Sequence, residues 1–289
     1  MTDSSLRPRR SVLYMPAANE RALEKAKTIP ADAIIFDLED AVAPDAKDAA
    51  RSNACAAAAS GEYANRELTI RCNGLDTPWG ARDVTAAATS GAAAVVIPKV
   101  ASVAYLDEID RQLTAAGAPS TMTIWAMIET PTAIFDVRAI AAHPRVSVLV
   151  MGTNDLAREL RAGLVATRHP LIPHLAAALA AAREAGKVIL DGVYNDVKNA
   201  EGFRVECVQG CEMGFDGKTL IHPGQVEITN DVWAPTPDEI AHANRVIEAF
   251  EAALSESRGV VTVDGRMIEN LHVDNARRVL AVAAAISAI

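Results

Sequence analysis

Short apolar runs alternate with longer alanine-rich stretches along most of this 289-residue chain. The eight runs are SVLYM, AIIFDL, LTIRC, AVVIPKV, TIWAMI, VSVLVMG, KVILDGV and CEMGFDG. Strands that are apolar throughout are typical of a parallel sheet covered on both faces. Eight such units in about 220 residues predict a (β/α)8 TIM barrel, with a doubly wound open sheet as the alternative.

The C-terminal part of the chain does not fit into these eight units. Residues 237–257 have the pattern of a long helix that begins with proline and acidic residues. A glycine-containing turn and an amphipathic helix follow it. We therefore predict a barrel domain over residues 1–235 and a C-terminal helical extension over residues 236–289, which serves as a lid and an oligomer contact.

Composition narrows the range of partners. The net charge is −9, and the basic residues form no run beyond Arg7, Arg9 and Arg10, which argues against nucleic acid and anionic membranes. No stretch approaches the ~18 apolar residues of a membrane span, and the N-terminus lacks the apolar core of a signal peptide. Four scattered cysteines are typical of free thiols in a reducing compartment. We expect a cytoplasmic protein that acts on a small molecule.

Charged or amide side chains follow nearly every apolar run, at the strand end where parallel barrels build their active sites. In chain order they are Asp37, Glu39, Asp40, Arg71, Asn73, Lys99, Glu129, Asn154, Asp155, Asp191, Asp216 and Lys218. Any single carboxylate here could cap the following helix or form a salt bridge on the rim. Their occurrence after so many strands predicts one functional rim.

Glu129 and Asp155 follow neighbouring predicted strands. Two carboxylates that leave room for water and substrate oxygens are typical of a Mg²⁺ site, because this ion takes only one or two protein carboxylates. Mn²⁺ is the alternative ion, and helix capping is the alternative role for both residues.

Arg71 offers a fork of donors suited to a carboxylate or to a carbonyl that becomes an enolate. Glu39 and Asp40 are predicted to orient this arginine and the metal's water shell, and Asp37 to have a structural role. The glycine-rich loop 214–225 lacks the spacing of a phosphate-binding loop or a dinucleotide fold. It could still bind phosphate through backbone N–H groups and Lys218, or be a plain turn.

Eight segments in a fixed order resemble the citrate lyase β-subunit family, which includes malyl-CoA and citramalyl-CoA lyases within the HpcH/HpaI aldolase superfamily. They are RSVLYMPAANERALEKA, DAIIFDLEDAVAPDAKDAAR, IRCNGLDTPWGARD, VVIPKV, IETPTAI, GTNDLARELR, GFDGKTLIHPGQV and GRMIENLHVDNARRVL. The resemblance implies a TIM barrel with a C-terminal extension, Mg²⁺ dependence, CoA-thioester substrates and a homotrimer or hexamer.

The resemblance also implies roles for individual residues. Glu129 and Asp155 match the metal ligands, Arg71 matches the arginine that steadies the enolate oxygen, and Glu39 and Asp40 match the acidic pair beside it.

Other positions match the family's substrate contacts. Pro98 and Lys99 match a Pro–Lys element after the fourth strand. Loop 214–225, with Lys218 and His222, lies where such enzymes hold part of CoA. Glu269 stands where several relatives have an aspartate that reaches a neighbouring subunit's site as general acid or base, so its longer side chain moves the carboxylate.

The implied reaction is a Mg²⁺-dependent Claisen-type cleavage of a 3-hydroxyacyl-CoA, such as malyl-CoA or citramalyl-CoA, into a short acyl-CoA and an oxo acid. The alternatives are a malyl-CoA-type thioesterase that uses the same site, and a citryl lyase subunit that acts on an acyl carrier protein. An aldolase for free hydroxy-keto acids is disfavoured, because that branch has an early catalytic histidine and no histidine precedes His143 in this chain.

Overall fold

The computed structural model describes residues 7–255 and 261–288. The chain divides into a compact unit of Arg9–Val232 and a second unit that contains the residues from Trp233 onward together with Arg7 and Pro8.

Eight parallel strands form a closed barrel in the larger unit. They are β1 (Ser11–Pro16), β2 (Ala33–Asp37), β3 (Glu67–Arg71), β4 (Ala94–Ile97), β5 (Thr123–Ile128), β6 (Val146–Met151), β7 (Val188–Asp191) and β8 (Gly217–Leu220). Strand β1 pairs with β8 as well as with β2, and this pairing closes the sheet. The predicted TIM barrel is therefore confirmed, and the open sheet is excluded.

Nine helices alternate with these strands in the described residues of the larger unit. They are α1 (Glu20–Ala26), α2 (Lys47–Ala59), α3 (Gly80–Ala87), α4 (Val103–Ala115), α5 (Pro131–Ala142), α6 (Thr153–Leu160), α7 (Ile172–Glu184), α8 (Ala200–Met213) and α9 (Val226–Val232). The alanines form their buried faces, as Ala50, Ala54 and Ala58 do on α2. Four-residue spacing places them on one side of the helix, where a small side chain permits close packing.

The eighth strand begins later than the sequence predicted. Residues Cys211–Met213 of the predicted run belong to the last turn of α8, which ends at Gly214 in the left-handed conformation (φ 104°). Glycine is favoured there because it has no Cβ to clash. Asp216 consequently precedes β8 and Lys218 is its second residue, so neither lies at the carboxyl-terminal rim.

Alternate strand residues fill the barrel interior in layers, as the pleat of a barrel strand requires. The apolar cluster comprises Val12, Ala33, Ile35, Ala94, Val96, Trp125, Met127, Val148, Val150, Val188 and Leu190. Tyr14, Asp37 and Glu129 each lie two residues beyond a member of this cluster. Strand periodicity therefore directs their side chains towards the interior at the carboxyl-terminal mouth.

The smaller unit has its own core. It consists of α10 (Pro237–Ser255), the antiparallel strands β9 (Val261–Val263) and β10 (Arg266–Ile268), and α11 (Asn270–Ser287). The two strands are joined by Asp264 and Gly265. Both residues have a positive φ, the backbone conformation typical of a two-residue hairpin turn. Its core comprises Ala243, Val246, Val263, Ile268, Val273 and Ala276. Among residues 7–255 and 261–288, no helix combines the length and apolarity needed to cross a membrane.

A buried ion cluster joins β7, β8 and α8. The Lys218 ammonium is fully buried and lies 2.8 Å from both Asp191 Oδ2 and Glu206 Oε1. Arg168 Nη1 lies 2.8 Å from Asp191 Oδ1. Burial alone would raise the pKa of Asp191, but Lys218 and Arg168 attract the carboxylate strongly enough to lower it below its ordinary value.

We predict that Lys218→Met destabilises the fold by about 3–5 kcal/mol, because it removes the ammonium that two buried carboxylates, Asp191 and Glu206, share. Urea denaturation measures this loss. The matched control is Arg138→Met, which breaks the exposed pair with Glu184 and should cost less than about 1 kcal/mol. Equal losses in the two variants would contradict the structural importance of the cluster.

Candidate active site

Five carboxylates and two cations lie at or beside the carboxyl-terminal ends of the barrel strands. Asp37 and Arg71 are the last residues of β2 and β3 and are paired in the strand register. Glu129 directly follows β5, and Asp155 lies in the first turn of α6. The predicted residues Glu39, Asp40 and Lys99 complete the group through the contacts described below.

Arg71 is held in a clamp of carboxylates. Its Nε and Nη2 each donate a 2.6 Å hydrogen bond to one oxygen of Asp37. Its Nη1 lies 2.8 Å from Glu39 Oε2 and 3.5 Å from Asp40 Oδ2. Burial opposes the charge of the guanidinium, but Asp37 and the other anions hold its pKa well above the ordinary value. Arg71 is therefore a fixed, permanently charged group.

All three acids contact Arg71, and Asp37 makes the closest contact. Asp37, expected to be structural, makes the two-point contact with Arg71, and it also accepts hydrogen bonds from the backbone N–H of Glu39 and Ala41. Asp40 is exposed and contributes the longest contact. The inward position of Asp37, two residues beyond Ile35, was a sequence signal for this role.

Tyr14 is a site residue that the sequence analysis missed. Its ring centroid lies 4.8 Å from the Arg71 guanidinium carbon, close enough for a cation–π contact. Burial raises the pKa of its phenol, so the hydroxyl stays neutral at physiological pH. The inward position after Val12 could have identified it.

Glu129 is oriented by backbone groups. Its Oε1 accepts a 2.7 Å hydrogen bond from the N–H of Lys99, which has a left-handed backbone (φ 50°) that residues other than glycine rarely adopt. A Cβ at Gly152 would lie 2.3 Å from Glu129 Oε2, so only glycine leaves room for this carboxylate. Burial, together with the charges of Glu39 and Asp155, raises the pKa of Glu129 to about 7.

Helix capping does not explain Glu129 or Asp155. The cap of α5 is Thr130, whose side chain accepts from the N–H of Ala133. The cap of α6 is Gly152, three residues before Asp155. Asp155 instead lies 2.9 Å from Arg158 Nη1 on one side and 4.0 Å from Lys99 Nζ on the other.

The chemistry of these two acids fits Mg²⁺. Both offer hard oxygen ligands, and the pKa of Glu129 is raised first by burial and then by the negative charges of Glu39 and Asp155, which a bound cation would offset. Within the described parts of the chain, no three or more His, Cys, Asp or Glu residues are arranged to hold a metal. Mg²⁺ takes one or two protein carboxylates and fills its other positions with water and ligand oxygens.

The residues predicted to contact CoA lie in different environments. Lys218 is fully buried in the ion cluster with Asp191 and Glu206, so the prediction that it binds CoA is not supported. Pro98 is buried, whereas Lys99 is half-exposed and its Nζ lies 3.8 Å from Glu39 Oε1. His222 is exposed and its Nδ1 accepts from the N–H of Gly224, which shapes a 3-10 turn over Pro223–Gln225.

Glu269 belongs to the smaller unit. It is exposed at the start of α11, and its backbone N–H donates to His272 Nδ1 at 3.0 Å. The predicted acid–base role of Glu269 remains a prediction.

Comparisons with known proteins show similarity over most of the chain. The family model for HpcH/HpaI aldolase/citrate lyase matches residues 10–223. The chain is 50% identical over 281 residues to a (3S)-malyl-CoA thioesterase of Cereibacter sphaeroides, covering 97% of this chain and 96% of that protein. It is 38% identical over 280 residues to the citrate lyase subunit beta of Escherichia coli K12, covering 95% and 93%.

A solved structure is similar over nearly the same length. It is the crystal structure of CitE from Mycobacterium tuberculosis in complex with magnesium, acetoacetate and coenzyme A, with a TM-score of 0.77 and 28% identity. The match covers 96% of this chain and 98% of that one. With a family model that spans most of the barrel and relatives similar over almost their whole length, this chain belongs to the HpcH/HpaI aldolase/citrate lyase family.

Proposed function

We propose that this protein is a Mg²⁺-dependent enzyme that acts on CoA thioesters of short hydroxy acids such as malyl-CoA. Thioester hydrolysis is the first candidate reaction, supported by the 50% identity to (3S)-malyl-CoA thioesterase. The structural observation that carries the proposal is the fixed Arg71 guanidinium at a barrel mouth that also holds Glu129 and Asp155.

Arg71 suits any reaction that develops negative charge on a thioester oxygen. A buried, preoriented cation stabilises such a charge strongly, because it need not reorganise during the reaction. Asp37 fixes the plane of the guanidinium from one side and Tyr14 lies against its face. The arginine can thus hold the developing oxyanion in place.

Glu129 and Asp155 are the residues that would hold the metal. When bound, Mg²⁺ supplies a Lewis acid that binds the acid end of the substrate. Mn²⁺ is the alternative ion, because it also prefers oxygen ligands. The magnesium in the Mycobacterium tuberculosis CitE complex supports this proposal.

Glu39 is the proposed general base. Burial, with the nearby charges of Asp40 and Asp37, raises its pKa to about 7 although Arg71 opposes the rise. A base is most effective when its pKa lies near the working pH. In hydrolysis Glu39 takes a proton from water, the water oxygen bonds to the thioester carbon and the carbon–sulfur bond breaks. The proton on Glu39 then passes to the departing sulfur, so CoA leaves as its thiol.

Carbon–carbon cleavage is the second candidate reaction, favoured by the similarity to citrate lyase subunit beta. Here a base removes the hydroxyl proton of a 3-hydroxyacyl-CoA and the carbon–carbon bond breaks to release the oxo acid. The remaining enolate, whose oxygen Arg71 faces, takes up a proton on carbon to give the short acyl-CoA. A substrate on an acyl carrier protein would meet the same groups.

We further propose roles for segments around this chemistry. Loop 214–225, with His222, and the Pro98–Lys99 element would contact CoA. Residues 236–289 would form a lid and an oligomer contact, with Glu269 as an acid or base in a homotrimer or hexamer.

A product assay tests the proposed function. The protein is incubated with Mg²⁺ and malyl-, citramalyl- or citryl-CoA, and free thiol is followed separately from glyoxylate, pyruvate or oxaloacetate. Thiol without oxo acid supports hydrolysis, and oxo acid without thiol supports cleavage. Neither product from any of the three substrates would overturn the proposal.

We predict that Glu129→Gln and Asp155→Asn each reduce turnover to the level without added metal, because each removes one of the two carboxylates proposed to bind the ion and so weakens its binding. Isothermal titration with Mg²⁺ should show lost binding in both variants. Asp136→Asn, at an exposed position on α5, is the matched control. Unchanged turnover of the Asp155→Asn variant in EDTA would contradict the metal assignment.

We predict that the wild-type kcat rises as the pH passes through about 7, where Glu39 loses its proton. Glu39→Gln should remove this rise and lower kcat by about 10²–10⁴-fold. The amide oxygen of the introduced glutamine can still accept from Arg71, so the clamp remains. Glu212→Gln, exposed on α8, is the control. A pH profile that is unchanged by Glu39→Gln would assign the base elsewhere.

The same variant should be more stable than the wild type at pH 8. A carboxyl group whose pKa is higher in the folded state opposes folding when ionised. Its destabilising effect is therefore complete above about pH 7 and disappears as the pH falls towards the ordinary value of 4.5. Melting temperatures at pH 8 and pH 5 test this sign, and an advantage of Glu39→Gln that grows on acidification would contradict it.

A further inference from the structure

We propose that Lys47 is a positioning residue of this site, whose ammonium fixes the backbone between β2 and α2 and so holds Asp37 and Glu39 around Arg71. This inference deepens the proposed function, on which only its kinetic test depends.

The Lys47 ammonium is buried and has an acceptor for each of its three protons. Its Nζ lies 2.8 Å from the carbonyl oxygen of Leu38, 2.7 Å from that of Glu39 and 2.8 Å from Asn73 Oδ1. Lys47 is 6% exposed and is the first residue of α2. The Lys47 side chain, at the end of the loop between β2 and α2, is therefore hydrogen-bonded to the first two residues of that loop.

The segment that Lys47 holds carries the acids of the clamp. The N–H of Leu38 donates to the carbonyl of Arg71, and the N–H of Glu39 donates to Asp37 Oδ1. Moving the carbonyls of Leu38 and Glu39 would therefore shift both the Asp37 contact and the Glu39 side chain. The link from Lys47 to Arg71 therefore runs through the backbone of Leu38 and Glu39 and the hydrogen bonds at its two ends.

Asn73, one of the three acceptors of the Lys47 ammonium, is itself held in place. Asn73 Nδ2 donates to the Leu38 carbonyl at 2.9 Å and to Asp83 Oδ2 at 2.6 Å. Asp83 Oδ1 accepts from Arg51 Nε at 2.6 Å. Lys47 is thus attached through Asn73 to a partly buried ion pair between α2 and α3, which gives it a rigid base.

The three acceptors of the Lys47 ammonium are neutral, which makes its burial costly. Burial lowers the pKa of Lys47 even though Asp37, Glu39, Asp83 and Asp40 attract the charged form. A methionine of similar length would fill the space without this penalty. The charge is better explained by the loop geometry it enforces than by a contribution to stability.

The test compares Lys47→Met with Lys187→Met, a half-buried lysine just before β7 at the opposite end of the barrel. Amide hydrogen exchange is followed for Glu39 and Ala41, whose N–H groups bond to Asp37. We expect exchange about tenfold faster or more in Lys47→Met, and wild-type exchange at both amides in Lys187→Met. This measurement needs no substrate, so it stands even if none of the proposed CoA thioesters is turned over.

Steady-state kinetics separate positioning from stability. Because Arg71 acts on charge that develops during the reaction, Lys47→Met should lower kcat by about 10–100-fold while KM changes by less than about threefold. Lys47→Arg, which keeps the charge and the donors, should recover part of both kcat and exchange protection.

Wild-type amide exchange and kcat in a folded Lys47→Met variant would overturn the proposal, even if its melting temperature falls. If that variant does not fold, Lys47→Gln, which keeps two N–H donors, replaces it. Full protection and full kcat in Lys47→Gln would overturn the proposal equally, and faster exchange with lower kcat would support it.

Discussion

The pair between Arg71 and Asp37 is the interaction on which the rest of the site depends. A buried guanidinium is stable only if its geometry with a carboxylate is good, and both 2.6 Å contacts here meet that requirement. They exist because β2 and β3 are paired in a register that sets the two residues side by side at the barrel mouth. Glu39 and Tyr14 contact an arginine that this pair has already fixed.

Sequence patterns predicted the fold because most strands of a parallel barrel are apolar on both faces. Strand β8 is the exception, which explains why its position was predicted wrongly. Strand β8 has only four residues, and its Lys218 is buried by pairing with Asp191 and Glu206 instead of by apolar packing. Lys218 is neutralised by Glu206 and Asp191, which lie 12 and 27 positions away, so no local sequence pattern marks it as a buried strand residue. The hydrophobic pattern therefore assigned the last turn of α8 to the strand.

The residues at the barrel rim were predictable from the sequence, but the contacts that orient them were harder to predict. Glu129, Asp155 and Arg71 follow strands, and strand ends meet at one edge of a barrel whatever the intervening sequence. The parts that hold them were harder to find, because they act through the backbone: Lys99 orients Glu129 with its N–H, and Lys47 binds two carbonyls. Such contacts depend on loop conformation, which neither hydrophobic periodicity nor residue type encodes.

Under the proposed function, one clamp serves two reactions. Hydrolysis and carbon–carbon cleavage both develop negative charge on the thioester oxygen, so both require a fixed cation where Arg71 lies. They differ in the proton that the base removes, which comes from water in one case and from the substrate hydroxyl in the other. Glu39, with a pKa of about 7, suits either proton. Under this proposal a change of reaction alters which proton Glu39 removes, and the pairing of Asp37, Arg71 and Tyr14 serves both reactions unchanged.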